Sequence, residues 1–396
     1  MRIGLDLQST LGEVTGIGAY AAGLALSLQE AASPHAIVPL RWGGTYHLPA
    51  PLAVMREQVG LAWQARRQRL DVLHAPGFSA GTWGRAARVL TLHDLCLVDR
   101  PELLPAGPSR AYWSQWIPWS ARHADLILTP SRFTQARVLA LLGLPERSVR
   151  LVPYPPRRDF QPVSATVQQQ LRWHLHLPQH FVLALGACEP RKDWLGLLRA
   201  FSIVAPHVPH DLVLVGRASV AGTGQRVRST VAQLGLGGRV HLLGYVRHNL
   251  LPALYSAASL FVFPELYAGY GLPMLEAMAC GTPVLSYANT ALEETAAGAA
   301  CLVPAPHHPV DVAAALRQLL ERPDLRAEWA RRGQARVSQL DWGRTAQEHL
   351  AAYEAVMPAA RAAGRLRGTT VAAMRAAART SLTVERPPDL TGEVHP

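Results

Sequence analysis

Short apolar runs recur along this chain at intervals that leave room for a helix between successive runs. In the first half they are Ile3 to Leu7, Ala36 to Leu40, Val72 to Ala75, Arg88 to Leu92, Leu126 to Thr129 and Val149 to Pro153. In the second half they are Phe181 to Leu185, Leu212 to Val215, Val240 to Leu243, Leu260 to Phe263 and Pro283 to Ser286. The segments between them carry helical periodicity. Near-continuous apolar strands alternating with helices predict parallel sheets covered on both faces. The stretch from Pro153 to Pro162 is proline-rich, charged and unlike either flank, which marks a linker. The pattern therefore predicts an α/β chain with two doubly wound domains, residues 1–162 and 163–340. Ligands of such sheets bind beyond the carboxyl ends of the strands, so the chemistry is expected in loops of both halves facing each other across a cleft. A helical segment over 341–360 and an Ala- and Arg-rich tail over 361–396 close the chain. Thr369 to Leu382 of that tail has a helical pattern, and its end is expected to fray.

Composition narrows the classes. A length of 396 residues with 49% hydrophobic and 17% charged residues excludes a disordered chain. No uncharged apolar run approaches the ~18 residues of a membrane-spanning helix. Met1 leads directly into a strand pattern, so no signal peptide is expected. The four cysteines show no C-x-x-C spacing and read as reduced, partly buried thiols of a cytoplasmic protein, not as a disulfide frame or a zinc site. A net charge of +11 suits an anionic partner such as a nucleotide, a phosphate-bearing lipid or a membrane surface. The basic residues are scattered, without a run of five like charges, which argues against nucleic acid.

The charge pattern also singles out one position. Lys192 is the only lysine; every other one of the 39 basic residues is arginine. Where the background favours arginine so strongly, a site that keeps a compact ammonium needs one. Lys192 follows Arg191 in Gly186-Ala-Cys-Glu-Pro-Arg-Lys-Asp193, between an apolar strand and a helical pattern, a place suited to holding phosphate.

A second motif lies in Pro264-Glu-Leu-Tyr-Ala-Gly-Tyr-Gly-Leu-Pro-Met-Leu-Glu-Ala-Met-Ala-Cys-Gly-Thr-Pro-Val284. Gly269 and Gly271 bracket Tyr270 and let the backbone approach a ligand. Leu272 and Pro273 open a helix whose start is an anion cradle, and Glu276 lies about one turn in, where a carboxylate can accept from vicinal hydroxyls such as those of a ribose.

These segments resemble the retaining glycosyltransferases of family 4, which share the GT-B fold of two facing Rossmann-like domains. The likeness runs in order through most of the chain. Gly16-Ile-Gly18-Ala-Tyr20 resembles the family's first glycine loop near the donor diphosphate. Thr91-Leu-His-Asp-Leu95 resembles its central His-Asp segment, and Leu126 to Phe133 its Ser-x-Phe turn. Glu189 to Trp194 resembles the Arg-Lys donor-phosphate site, and Ala291 to Thr295 a short helix. Asp341 to Tyr353 resembles the closing helix, which in this fold crosses back to the first domain. The resemblance implies a metal-independent hexosyltransferase without cofactor. It would use a nucleotide-diphosphate sugar, with a lean to a GDP-sugar and mannose and UDP-sugars open, on a glycan or lipid-linked acceptor. It implies donor contacts from Gly16, Gly18, Arg191, Lys192, Gly269, Tyr270, Gly271, Leu272 and Glu276. His93 and Asp94 are implied at the reaction centre, where a neutral imidazole can donate to a sugar hydroxyl or position the acceptor; a satisfied structural histidine is the alternative. No Asp-x-Asp occurs, which argues against the metal-dependent glycosyltransferases of the other main fold.

One departure stands out. The first acid of the family's Glu-x7-Glu pair is Ala268 here, and Glu265, three residues earlier, reads either as its replacement or as an ordinary solvated loop acid. The rival reading that follows is a non-catalytic nucleotide- or sugar-binding relative. The stripe Tyr112, Trp116 and Trp119 reads either as packing against the first sheet or as a contact with the acceptor or with an anionic membrane at which the protein sits peripherally.

Overall fold

The structure is a computed structural model that describes residues 1–12, 15–43, 50–217 and 223–363. The helical pattern read over Thr369 to Leu382, and the tail beyond 363, lie outside the described residues. Two six-stranded sheets form, and every strand pair in both is parallel.

The first sheet contains β1 (Arg2–Asp6), β2 (Ala36–Leu40), β3 (Val72–Ala75), β4 (Ala87–Thr91), β5 (Leu126–Thr129) and β6 (Val149–Leu151), in the order β2-β1-β3-β4-β5-β6. The second contains β7 (Phe181–Leu185), β8 (Asp211–Val215), β9 (Val240–Gly244), β10 (Leu260–Phe263), β11 (Val284–Ala288) and β12 (Cys301–Pro304), in the order β12-β11-β10-β7-β8-β9. The central strands β3, β4, β5 and β10 are buried along their whole length, as two-sided coverage by helices requires. The apolar-run pattern finds the first eleven strands within two residues at either end. It misses β12, an edge strand whose four residues include Pro304 and follow an alanine-rich stretch.

The helix Trp342–Ala363 packs on the helix Gly16–Glu30 of the first half. Trp342 lies against Gly23, where a Cβ would fall 2.4 Å from the indole, and its Nε1 donates to Pro156 O of the connecting segment at 2.9 Å. Buried residues of this helix and of the connection, among them Tyr154, Phe160, Tyr353 and Val356, join the cores of the two halves into one. A buried polar cluster accompanies the join. Tyr20 Oη donates to His349 Nε2 at 2.7 Å, because His349 Nδ1 already donates to Thr345 O at 2.7 Å. His74 bonds Tyr353 Oη at 2.7 Å and Thr91 Oγ1 at 2.8 Å. Burial holds both imidazoles neutral: His349 is pulled down to about 4, and His74 is shifted well below the usual range by burial and then by His349 nearby.

Neutral imidazoles in the folded state mean that the unfolded chain binds more protons below its own histidine pKa of about 6.5. Stability from this cluster is present above that pH and is lost as pH falls toward about 4. The thermal midpoint is expected to drop over this interval. A His349→Gln variant, less stable at pH 7.5, is expected to lose less over the same interval; parallel curves for the two proteins in a pH series of melts would contradict the assignment.

Candidate functional site

In each sheet the winding reverses at one place, and the loops on either side of it diverge to open a crevice. In the second sheet this place lies between β7 and β10. After β7 the chain passes Gly186 and makes a single turn at Pro190–Lys192. Asp193, at a left-handed φ of 43°, then caps the helix Trp194–Val204 by accepting from Gly196 N at 3.1 Å. The loop after β10 meets this turn directly, with Leu266 N donating to Arg191 O at 2.8 Å.

The Glu265 carboxylate accepts from Arg191 Nη1 at 3.1 Å and, through its other oxygen, from Lys192 Nζ. Glu189 takes Arg191 Nε at 2.9 Å. Lys192 is 8% exposed and Glu265 2%, so the pair sits almost wholly out of water. Gly186, at φ 149°, makes room for the lysine stem: a Cβ there would lie 2.9 Å from Lys192 Cε. Burial, and then the Arg191 guanidinium beside it, pull the Lys192 ammonium well below its usual range, while the surrounding carboxylates oppose the shift. Arg191, less buried than Lys192, is the more accessible of the two cations.

The glycine loop touches the first half. A Cβ on Gly269 would fall 1.9 Å from His93 O and 2.5 Å from Asp94 Cβ, so only glycine fits. Ser131 Oγ donates to Gly269 O at 2.6 Å and Thr134 Oγ1 at 2.9 Å. Ser131 also caps the helix Arg132–Leu142, whose first amides, Arg132 N and Phe133 N, donate to Glu294 of the second half at 2.9 and 3.3 Å. The carboxylate at this helix start is favoured by the helix dipole. Gly271, at φ 92°, opens the helix Leu272–Ala279. Within it, Glu276 accepts from Tyr255 Oη at 3.1 Å, and burial raises its carboxyl to about 7.

The first sheet reverses between β1 and β3, and a cavity of about 470 Å³ lies beyond that point. Asp6 at the end of β1 accepts two bonds from Arg56 Nη1, at 3.0 and 2.9 Å. Glu57 accepts from Ser79 Oγ at 2.9 Å and from Trp116 Nε1 at 3.3 Å, and burial raises its carboxyl. Phe78 and Trp113 add apolar wall, and Ser9 Oγ is buried there without a hydrogen-bond partner. Among the described residues no cluster of three or more His, Cys, Asp or Glu is placed to hold a metal ion.

Comparison with known proteins decides what this arrangement belongs to. The model described as Glycosyltransferase Family 4 matches residues 17–155, and that described as Glycosyl transferases group 1 matches residues 168–336. The O-antigen chain mannosyltransferase B of Escherichia coli is 32% identical over 302 residues, covering 74% of this chain and 76% of that protein. The chain belongs to glycosyltransferase family 4. The serotype-specific mannosyltransferase WbdA of Escherichia coli is 27% identical over 269 residues, 66% of this chain but only 32% of that longer protein. Two solved structures share the fold. Sucrose-phosphate synthase from Thermosynechococcus elongatus has a TM-score of 0.72 at 22% identity, covering 91% of this chain and 100% of that one. Anabaena HepE in complex with UDP-glucose has a TM-score of 0.70 at 19% identity, covering 90% and 100%. The architecture is therefore GT-B.

Within this glycosyltransferase the structure gathers Arg191, Lys192, Glu265, Gly269 and the His93–Asp94 backbone at one place. Other expected site residues stand differently. His93 is buried with both ring nitrogens engaged: Nε2 donates to Pro76 O at 3.1 Å, so Nδ1 accepts from Tyr154 Oη at 3.0 Å. The imidazole is thus bonded on both sides and holds Pro76 on the cavity wall. Burial keeps it neutral, down at about 4. Asp94 Oδ1 accepts from Cys96 N at 3.0 Å. Tyr270 Oη donates to Tyr154 O at 2.5 Å, tying the glycine loop to the connection. Leu272 is buried at the helix start. Gly16 begins the first helix, and Gly18 lets it approach Ser9, whose carbonyl a Cβ would meet at 2.3 Å. Tyr112, Trp116 and Trp119 stack on one another at 5.9 and 4.6 Å and are half-buried, as packing requires. Sequence reasoning did not find Asp6, Arg56 and Glu57, which sit in no motif. Nor did it assign roles to Ser131 and Glu294, although both lie in segments it singled out.

Glu276 gives a test independent of turnover. With its carboxyl raised in the fold, the stability linked to it is full below about pH 4.5 and is lost as pH rises through about 7. Glu276→Gln carries no charge to bury. Its melting midpoint is expected to exceed that of the wild type at pH 8 by several degrees, with the gap closing at pH 5. A gap independent of pH would show that Glu276 is not a buried acid.

Proposed function

We propose that this chain is a retaining, metal-independent mannosyltransferase. It would move mannose from a GDP-sugar to a glycan or lipid-linked acceptor in polysaccharide or glycoconjugate synthesis. The observation that carries the reading is the Arg191–Lys192 pair, held by Glu265 at the winding reversal of the second sheet, with the loop after β10 that leads into Gly269–Gly271 bonded to the same turn. The similarity to an O-antigen mannosyltransferase over three quarters of both chains supports the choice of sugar and product class.

The donor diphosphate lies against Arg191, Lys192 and the start of the helix Leu272–Ala279, whose charge neutralises the leaving group as the sugar–phosphate bond breaks. Glu276 accepts from the ribose hydroxyls. Glu265 replaces the acid absent at Ala268: its carboxylate neutralises the two cations before the donor arrives and accepts from a sugar hydroxyl afterwards. The acceptor hydroxyl, presented from the first-half cavity, attacks from the face that the diphosphate leaves, and a phosphate oxygen takes its proton. His93 positions the Pro76 loop that lines that cavity. Contact between Gly269 and the His93–Asp94 backbone excludes water from the reacting atoms.

A transfer assay with a donor panel in EDTA tests the whole reading. Turnover with GDP-mannose, undiminished by chelator and giving a product with the donor's anomeric configuration, is expected. A requirement for Mg²⁺ or Mn²⁺, or an inverted product, would overturn the mechanism. Inactivity on every donor, relieved by Ala268→Glu, would establish the non-catalytic binding relative instead.

The roles of the two buried partners separate in binding. Lys192→Ala is expected to weaken GDP binding by about 1.5–3 kcal/mol, the scale of a charge-assisted hydrogen bond. Glu265→Gln keeps a polar group of the same shape. It is expected to lower kcat ten-fold or more, about 1.4 kcal/mol, while GDP binds as well or better by calorimetry. Unchanged turnover in Glu265→Gln would remove Glu265 from the reaction centre.

A further inference from the structure

The helical run over residues 50–67 presents two different faces. Its inner face carries Arg56 and Glu57 to the wall of the first-half cavity. Its outer face carries Leu52, Met55, Val59 and Trp63, spaced three or four residues apart, each 47–53% exposed. Four large apolar side chains in one exposed row on a single helix form a patch, not a scatter of isolated surface residues.

The patch extends on both sides. Trp42, 43% exposed, leans on Gly60, where a Cβ would meet its ring at 2.8 Å, and Arg41 O accepts from Gln64 Nε2 at 3.1 Å. On the other side Thr82 N donates to Gln58 Oε1 at 3.0 Å, which seats the loop carrying exposed Trp83 and Arg85 beside the helix. The flanking charges are all of one sign. Arg41, Arg66, Arg67, Arg69 and Arg85 are exposed, and none forms an ion pair among the described residues. Arg67 lies over the Trp63 ring at 5.2 Å. The segments 41–43, 50–70 and 81–86 contain a single carboxylate, Glu57, and it is buried.

An apolar row with tryptophans, rimmed by unpaired guanidinium groups and free of exposed acids, matches the boundary between lipid headgroups and acyl chains of an anionic bilayer. We propose that the outer face of residues 50–67, with Trp42 and the 82–85 loop, docks the protein on an anionic lipid surface. Because the opposite face of the same helix lines the cavity, docking sets the cavity beside the lipid headgroups. An acceptor carried on a lipid would then reach it without leaving the bilayer. This last point rests on the proposed transfer to a lipid-linked acceptor; the docking itself does not.

The test is flotation of the full chain with vesicles of phosphatidylglycerol and phosphatidylethanolamine, against vesicles of phosphatidylcholine alone. The wild type is expected to float with the anionic vesicles only. The double variant Val59→Asp/Trp63→Ser is expected to lose at least ten-fold in bound fraction, and Arg66→Ser/Arg67→Ser to lose the preference for anionic lipid. Both should keep the wild-type melting midpoint and turnover on a water-soluble acceptor. Failure of the wild type to float, or flotation of the Val59→Asp/Trp63→Ser variant at the wild-type level, would overturn the proposal. So would a wild-type dimer in sedimentation that this variant converts to monomer, since the patch would then be an interface between two copies. Vesicle binding without transfer to any acceptor would leave the docking surface standing and remove the transfer reading.

Discussion

The backbone contact between Gly269 and the His93–Asp94 segment is the constraint on which the rest of the site depends. Each sheet reverses its winding at one place, and the residues gathered at the site come from the loops of both halves. The contact brings the two together at atomic range. It leaves no room for a side chain, so the glycine is a steric requirement and not a provision for unusual dihedrals. Around it Ser131, Thr134 and Glu294 add directional bonds between the halves, each made to a backbone group whose position the secondary structure already fixes.

Behind this contact the halves are joined along a second line. The connection through Tyr154 and Phe160 and the crossing helix from Trp342 share one apolar core with both sheets. The buried Tyr20–His349 and His74–Tyr353 bonds fix that helix to the first half. The halves are thus tied at two places, through residues 153–162 and the helix from Trp342 on one side and through the contacts at Gly269, Ser131 and Glu294 on the other. His93 and Tyr270 both bond to Tyr154, so the connecting segment, the wall of the first-half cavity and the glycine loop meet at one tyrosine.

How much of this was legible in the sequence follows from the range of the interactions. The central strands announced themselves because a strand buried on both faces needs an unbroken apolar run, and the partly buried edge strands β2, β6 and β9 still carry enough apolar residues to be seen. Edge strand β12 did not, since Pro304 and the preceding alanines carry no such signal. Lys192 and the glycine loop were legible because one is a compositional exception and the other a local motif. The Glu265 carboxylate was legible as a candidate acid, but its partners are set by β10 lying beside β7, and its contact with Lys192 spans 73 residues that no local pattern encodes. The same holds for His93. The end of a strand was the right location, but the Tyr154 hydroxyl and Pro76 carbonyl that occupy its two nitrogens come from distant segments. The aromatic stripe at Tyr112, Trp116 and Trp119 was visible and is half-buried, while the exposed apolar row on residues 50–67 had the same helical spacing as a core-facing stripe and so gave no sign of its orientation.

The enclosure of Arg191 and Lys192 by Glu189 and Glu265 has a consequence for how the site responds to its solvent. An open cationic site attracts phosphate through water, gathers small anions when empty, and weakens steeply as salt rises. Here the cations already hold protein carboxylates in a largely dry pocket, so on the proposed reading the arrival of a diphosphate is an exchange of one anion for another. Few mobile ions are displaced in such an exchange. Donor recognition in this protein should therefore vary little between dilute buffer and the ionic strength of a cell, and chloride or inorganic phosphate should compete poorly for the site.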